Sequence, residues 1–265
     1  MNINLLVFPT LLLAVLLFYV GQFLFGRSTS HILKISYFIG FFLLSIPGLL
    51  FSLFYLHLFD DWIWFYQFRS LPLIEMSAAG AGLLAGALGA IAKKLRLVSP
   101  ILLIIVLILG IMVPFIKPIF ASVPQSQILD RWENGVCMQS TSSSCGPASA
   151  ATIFNQFGIK LSEAELSKEC FTYVGGTENW YLARAFKKRG FSVTYRSEPS
   201  FPNDLKFPSI AGVRMNGFGH FIVIMDLRDG IFITADPLFG KEEYSKTELI
   251  EQYDFTGFFM EIEKK

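Results

Sequence analysis

The sequence predicts an α-helical membrane region followed by a water-soluble domain that mixes helix and strand. Of the 265 residues, 53% are hydrophobic and only 16% are charged, with a mean hydropathy of +0.51, which is too apolar for an ordinary soluble domain. The charges are also unevenly spread: residues 1–123 hold seven Lys/Arg and three Asp/Glu, out of 22 and 21 in the chain. The remainder has mixed charge, scattered glycine and short apolar runs, and is long enough for its own core. The chain therefore divides into a transmembrane region, 1–123, and a soluble domain, 124–265, which starts with the polar run 124–127. A formal net charge of +1 supplies no basic field to displace counterions from a polyanion, which excludes nucleic acid as a partner.

Four apolar stretches, 3–25, 35–58, 71–92 and 97–120, are long enough to cross about 30 Å of hydrocarbon as helices. The first lacks a basic leading segment and is too long for a cleavable signal, so it is expected to be retained. Arg27 and Lys34 follow the first stretch, and Lys93, Lys94 and Arg96 follow the third, whereas the middle connection carries Asp60, Asp61 and only Arg69. Lysine and arginine are retained on the cytoplasmic side, so both termini and the soluble domain are expected outside a bacterial inner membrane. Lys117 runs against that pattern, although a lysine near a helix end can reach either headgroup region.

Small residues recur through the third stretch, including Gly82 and Gly86, a spacing that lets another helix approach, within the chain or in a second copy. Glu75 is the only acidic residue inside a predicted span, one turn from its boundary, where an interfacial carboxylate costs little. Trp62, Trp64, Phe65, Tyr66 and Phe68 crowd the middle connection, as an aromatic belt at headgroup level would.

The soluble domain carries the chemistry. Pro147 follows Cys145-Gly146, and a helix-like run from Ala148 to Phe157 ends at Gly158, so Cys145 is expected at a helix N-terminus. There the macrodipole and unpaired N–H groups favour thiolate, the nucleophilic form. The domain contains a single histidine, His220, opening a β-branched run that reads as a strand, and it is the candidate base. Asp236, just before Pro237 at the end of the next strand, is the candidate that orients the imidazole.

Hairpin geometry makes that pairing conditional. A two-residue turn at Asp229-Gly230 would set His220 across from Phe239, an odd step from Asp236, and put the two side chains on opposite faces. A three-residue loop, Arg228-Asp229-Gly230 with Gly230 left-handed, shifts the register by one and brings them to one face, diagonally related. The three-residue loop is the expectation. Gln139, six positions before Cys145, has an uncharged amide that could bind an oxyanion together with the Cys145 backbone N–H.

These residues resemble peptidase family C39, whose members are best known as domains that cleave double-glycine leaders from bacteriocin precursors during export. The resemblance rests on Gln139 to Gly146, Gly175-Gly176-Thr177, Lys188-Arg189-Gly190-Phe191 and Pro208-Ser209-Ile210-Ala211. It continues through Gly219-His220-Phe221-Ile222-Val223-Ile224, Ala235-Asp236-Pro237-Leu238-Phe239-Gly240 and Phe255-Thr256-Gly257-Phe258. It implies a papain-like α+β cysteine peptidase domain with Cys145 as nucleophile, His220 as general base and acid, Asp236 as orienter and Gln139 as oxyanion donor. Ser144 stands where the family usually has aspartate, and no Walker lysine motif accompanies the domain, so neither ATP nor a complete exporter is expected.

The function that follows is a membrane-tethered cysteine endopeptidase acting on exported peptides or proteins, using no cofactor or metal. Cleavage after small residues such as Gly-Gly is implied by the family alone. Export-system proteins are the expected partners. The alternatives are a catalytically inactive peptide-binding module of the same system, and a channel or transporter formed by the spans. In an oxidising compartment Cys137 and Cys170 could pair, or be two unrelated buried thiols. Arg184, Lys187, Lys188 and Arg189 form a basic patch that could steer an acidic peptide or simply cap a helix end.

Overall fold

A computed structural model describes residues 4–55, 62–95 and 99–265. The predicted boundaries at Ile3, Leu58 and Leu97 and the charges of Asp60, Asp61 and Arg96 lie outside the described residues. The chain forms two compact units.

The first unit is helical. It contains α1 (Val7–Arg27), α2 (His31–Phe54), and α4 (Ala81–Leu95) preceded by the 3-10 turn Ile74–Gly80, together with most of α5 (Pro100–Phe120). These four segments, counting the 3-10 turn with α4, are long and apolar enough to cross a membrane. Their starts and ends differ from the sequence expectation by a few residues, because caps and not hydropathy set where a helix stops. The small residues of α4 face α1: a Cβ on Gly82 or Gly86 would run into the Ala14 or Phe18 carbonyl oxygen. The Gly82/Gly86 pair thus serves packing within the chain. Glu75, expected at the interface, is fully buried in the 3-10 turn.

The second unit comprises residues 117–265 and, from the connection between α2 and α4, residues 62–71 with the short helix α3 (Ile63–Arg69). A two-stranded ribbon of β1 (Arg131–Glu133) and β2 (Val136–Met138) precedes α6 (Cys145–Gln156), α7 (Glu163–Glu169) and α8 (Asn179–Lys188). Then come β3 (Phe191–Ser197), β4 (Ser209–Met215), β5 (Phe218–Arg228), β6 (Ile231–Asp236), β7 (Gly240–Ser245), α9 (Lys246–Gln252) and β8 (Asp254–Lys264). The six-stranded sheet has the order β3-β8-β4-β5-β6-β7 with antiparallel neighbours. Alternation places Ile222 and Ile224 of β5 on one face, in a core with Val213, Phe232, Leu249 and Tyr253.

Part of the predicted aromatic belt has another use. Phe65 is fully buried edge-on against Trp180 of α8, 6.3 Å between centroids, so it packs inside this unit. Three residues of the basic patch have partners: Arg189 and Lys188 pair with Glu169 at 2.7 and 3.2 Å, and Arg184 donates to the Arg69 carbonyl, while Lys187 is exposed.

Candidate active site

Cys145 is the first residue of α6. Glycine and proline follow it because the helix starts in tight quarters: a Cβ on Gly146 would press on Leu182 and Thr177. The loop before it is laced internally. The buried Ser144 hydroxyl accepts from the Thr141 N–H at 3.0 Å and donates to the Thr141 carbonyl at 3.1 Å, closing the turn at the position the family gives to aspartate. The buried carboxylate of Glu163 takes the Ser140 N–H at 2.9 Å and the Ser140 hydroxyl at 2.5 Å, fixing the loop from the other side.

His220 lies on the same face of β5 as Ile222 and Ile224, near the strand's entrance. Its Nε2 is 2.9 Å from Asp236 Oδ1, which leaves Nδ1 to exchange a proton with a thiol. The face-sharing arises by a route the sequence did not suggest. The turn is the two-residue Asp229-Gly230 form, both residues at positive φ (49° and 81°), pairing Arg228 with Ile231. A β-bulge between Ile224 and Asp226 then shifts the register, so that Val223 pairs with Ala235. One extra residue in a strand does what one extra residue in the loop would have done.

Asp236 is fully buried and receives three hydrogen bonds. His220 and the Leu238 N–H (2.8 Å) share Oδ1, and the Tyr253 hydroxyl donates to Oδ2 at 3.0 Å. Burial lowers the affinity of His220 for its proton, but hydrogen bonds and charge from Asp236 and Cys145 outweigh that and raise its pKa from 6.5 to about 9. The Tyr253 hydroxyl is pushed up, by burial and by the Asp236 charge, so it remains a donor. Tyr253 and Glu163 escaped the sequence reading: each belongs to the site only through a contact distant in sequence, and an aromatic or acidic residue gives no local sign of it.

Cys145 and His220 line one cleft of about 290 Å3, with Gly175, Gly176, Gly212 and Gly219 along its walls. Gln139 lies in an adjoining cleft that His220 also borders. Its Nε2 donates one hydrogen to the Thr141 carbonyl at 2.9 Å, its buried Oε1 has no hydrogen-bond partner among the described residues, and its backbone N–H is held by the Pro237 carbonyl. Cys137 and Cys170 are buried and unpaired, and burial raises both thiol pKa values, so neither offers a competing nucleophile. Lys117, at the end of α5, reaches Glu178 on the cleft wall at 3.4 Å and the Tyr173 hydroxyl at 3.0 Å.

A thiol at a helix start lines one cleft with an imidazole anchored by a buried carboxylate, a candidate cysteine–histidine–aspartate site on a helix-plus-antiparallel-sheet scaffold. The chain belongs to the Peptidase C39 family, whose model matches residues 133–265. An uncharacterized protein of Methanothermobacter marburgensis is 33% identical over 131 residues, covering 49% of this chain and 89% of that one. The probable functional amyloid protease FapD of Pseudomonas aeruginosa is 26% identical over 125 residues, 44% of this chain and 55% of that one. Among solved structures, the peptidase domain of Streptococcus ComA, a bifunctional ABC transporter, is 24% identical, with a TM-score of 0.43 over 49% of this chain and 98% of that one. A double glycine motif protease from an AMS/PCAT transporter, in complex with the leader peptide, is 22% identical, with a TM-score of 0.42 over 49% and 91%.

Proposed function

We propose that the chain is a membrane-tethered cysteine endopeptidase that cleaves exported peptides or proteins. The observation that carries this reading is His220, bonded to Asp236 at 2.9 Å and lining one cleft with Cys145. The thiol proton has already passed to His220 Nδ1 when Sγ attacks the scissile carbonyl carbon, and the Cys145 backbone N–H and the second N–H of Gln139 meet the oxyanion. Collapse breaks the C–N bond, His220 hands its proton to the leaving amine, and a thioester remains. Water, deprotonated by His220, hydrolyses the thioester and restores the thiol. Asp236 holds the ring's orientation throughout.

The family suggests a Gly-Gly cleavage site, and a cleft lined by four glycines with Tyr173, Val213 and Phe258 suits small residues before the scissile bond. The lysine distribution supports a domain outside the cytoplasm, meeting its substrates after translocation. Lys117, which ran against that distribution, spends its charge on Glu178. Residues 62–71 and the peptidase domain form one compact unit, which suits a path in which α4 and α5 both cross the bilayer between them. The test compares secreted peptides from cells carrying the native chain with those carrying Cys145→Ala. New N-termini present only with the native chain are expected. Identical termini in both would leave a peptide-binding module in place of a protease.

A further inference from the structure

The geometry points to residues 62–71 as a working part of the peptidase cleft: Tyr66, delivered from the connection between two membrane helices, seats Phe258 and thereby sets which substrate side chains fit beside Cys145. The inference rests on the peptidase reading and adds a specificity-determining positioning residue to it.

The segment is anchored at several independent points. Arg69 lays its guanidinium over Trp180, 4.5 Å from the ring centroid. The Ser70 hydroxyl is 2.8 Å from the Tyr195 hydroxyl. Phe65, Arg69, Ser70 and Trp180 are all at most 1% exposed. A seven-residue helix is too short to hold itself together in water, so its form comes from this docking.

Tyr66 extends the anchoring to the cleft. Its ring meets Tyr195 at 5.6 Å and Phe258 edge-on at 5.7 Å, distances at which aromatic pairs attract. Phe258 in turn lies 5.7 Å from Phe221, the residue after His220, and both rings line the cleft with Cys145. On the far side there is almost no room: a Cβ on Gly212 would come within 3.5 Å of the Phe258 ring and closer still to Thr256 Oγ1. Phe258 is thus held between β4 and a residue that the membrane region supplies. Tyr195 also meets Phe258, 6.0 Å between centroids, but without Tyr66 the ring loses its edge-on neighbour and can swing outward. The imidazole and its carboxylate, held by their own bonds, stay in place.

The test uses the full chain in detergent micelles and reads alkylation at Cys145 by mass spectrometry. Iodoacetamide reports thiol reactivity, while tetrapeptide chloromethyl ketones ending in Gly-Gly or Gly-Leu, which form a thioether and release chloride, report the fit of the cleft. For the native chain, Gly-Gly is expected to react at least tenfold faster than Gly-Leu. Tyr66→Ala should narrow that ratio threefold or more with the iodoacetamide rate unchanged, and Tyr66→Phe should restore it. Phe258→Leu should narrow it equally, and the Tyr66→Ala/Phe258→Leu double variant no further. Tyr66→Leu, which keeps most of the volume, serves if the alanine variant does not accumulate, with the same narrowing expected. An unchanged ratio in the Tyr66 variants, or effects of Tyr66 and Phe258 that multiply, overturns the inference while leaving the peptidase reading standing. A native chain with no preference for either peptide reagent over iodoacetamide overturns the peptidase reading itself.

Discussion

Replacing Asp236 with asparagine keeps the size of the side chain and removes the charge that faces His220. In the native fold, burial, which opposes the imidazolium, is outweighed by bonds and charge from Asp236 and Cys145, and the His220 pKa rises from 6.5 to about 9. A rise of this size corresponds to about 3–4 kcal/mol at about 1.4 kcal/mol per pH unit. Because the folded value lies above the unfolded one, this stability is fully present below pH 6.5 and is lost as the pH climbs through 9. Asp236→Asn should forfeit most of it, so the gap between native and variant is widest near pH 6 and closes in the alkaline range. For a unit of this size the acid-side gap amounts to roughly 5–10 °C in Tm. The assay is thermal unfolding of the full chain in micelles between pH 6 and pH 10, followed by tryptophan fluorescence, for which the fully buried Trp180 is a reporter inside the peptidase unit. The alkaline limb of the peptidase pH profile should move down with the same substitution. A gap that is constant with pH, or that widens toward alkaline pH, refutes the charge argument. A constant offset beneath a pH-dependent gap is the cost of the altered bonds to Leu238 and Tyr253.

Cys145→Ala is expected to abolish cleavage with the melting transition still cooperative, and residual cleavage would assign the nucleophile elsewhere. Tyr253→Phe leaves Asp236 Oδ2 without its donor at 3.0 Å and should cost about 1.5–3 kcal/mol in denaturant titration, as expected for a hydrogen bond to a charged group. Glu163→Gln weakens both bonds to Ser140 and should lower stability by about 1–3 kcal/mol while slowing peptidase turnover through a looser nucleophile loop. A variant with native stability and rate would show that the loop holds itself. Gly86→Leu drives a side chain into the Phe18 carbonyl and should reduce the folded, monodisperse fraction on size exclusion. An unchanged elution profile would contradict the close approach of α1 and α4.

What could be read from the chain alone was what local chemistry encodes. Apolar runs longer than a bilayer is thick marked four helices, and Pro147 and Gly158 bracketed the helix that Cys145 begins, because caps and hydropathy act within a few residues. A single histidine in the domain left one candidate base, and short segments in a fixed order pointed to the family to which the chain belongs.

Tertiary structure decided what depends on register and distance. The Asp229-Gly230 turn taken alone would have turned His220 and Asp236 to opposite faces, and the bulge beside Met225 reversed that. A bulge is stabilised by packing across a whole sheet and leaves no local signature in the chain. The same limit hid Tyr253 behind Asp236, Glu163 behind Ser140, and the burial of Phe65 and Arg69 against Trp180. An aromatic cluster between two membrane helices has the same composition whether it meets lipid headgroups or a folded domain, because hydrophobicity records that a surface must be covered and not by what. Shape and hydrogen-bond geometry choose the partner, and they exist only once the chain has folded.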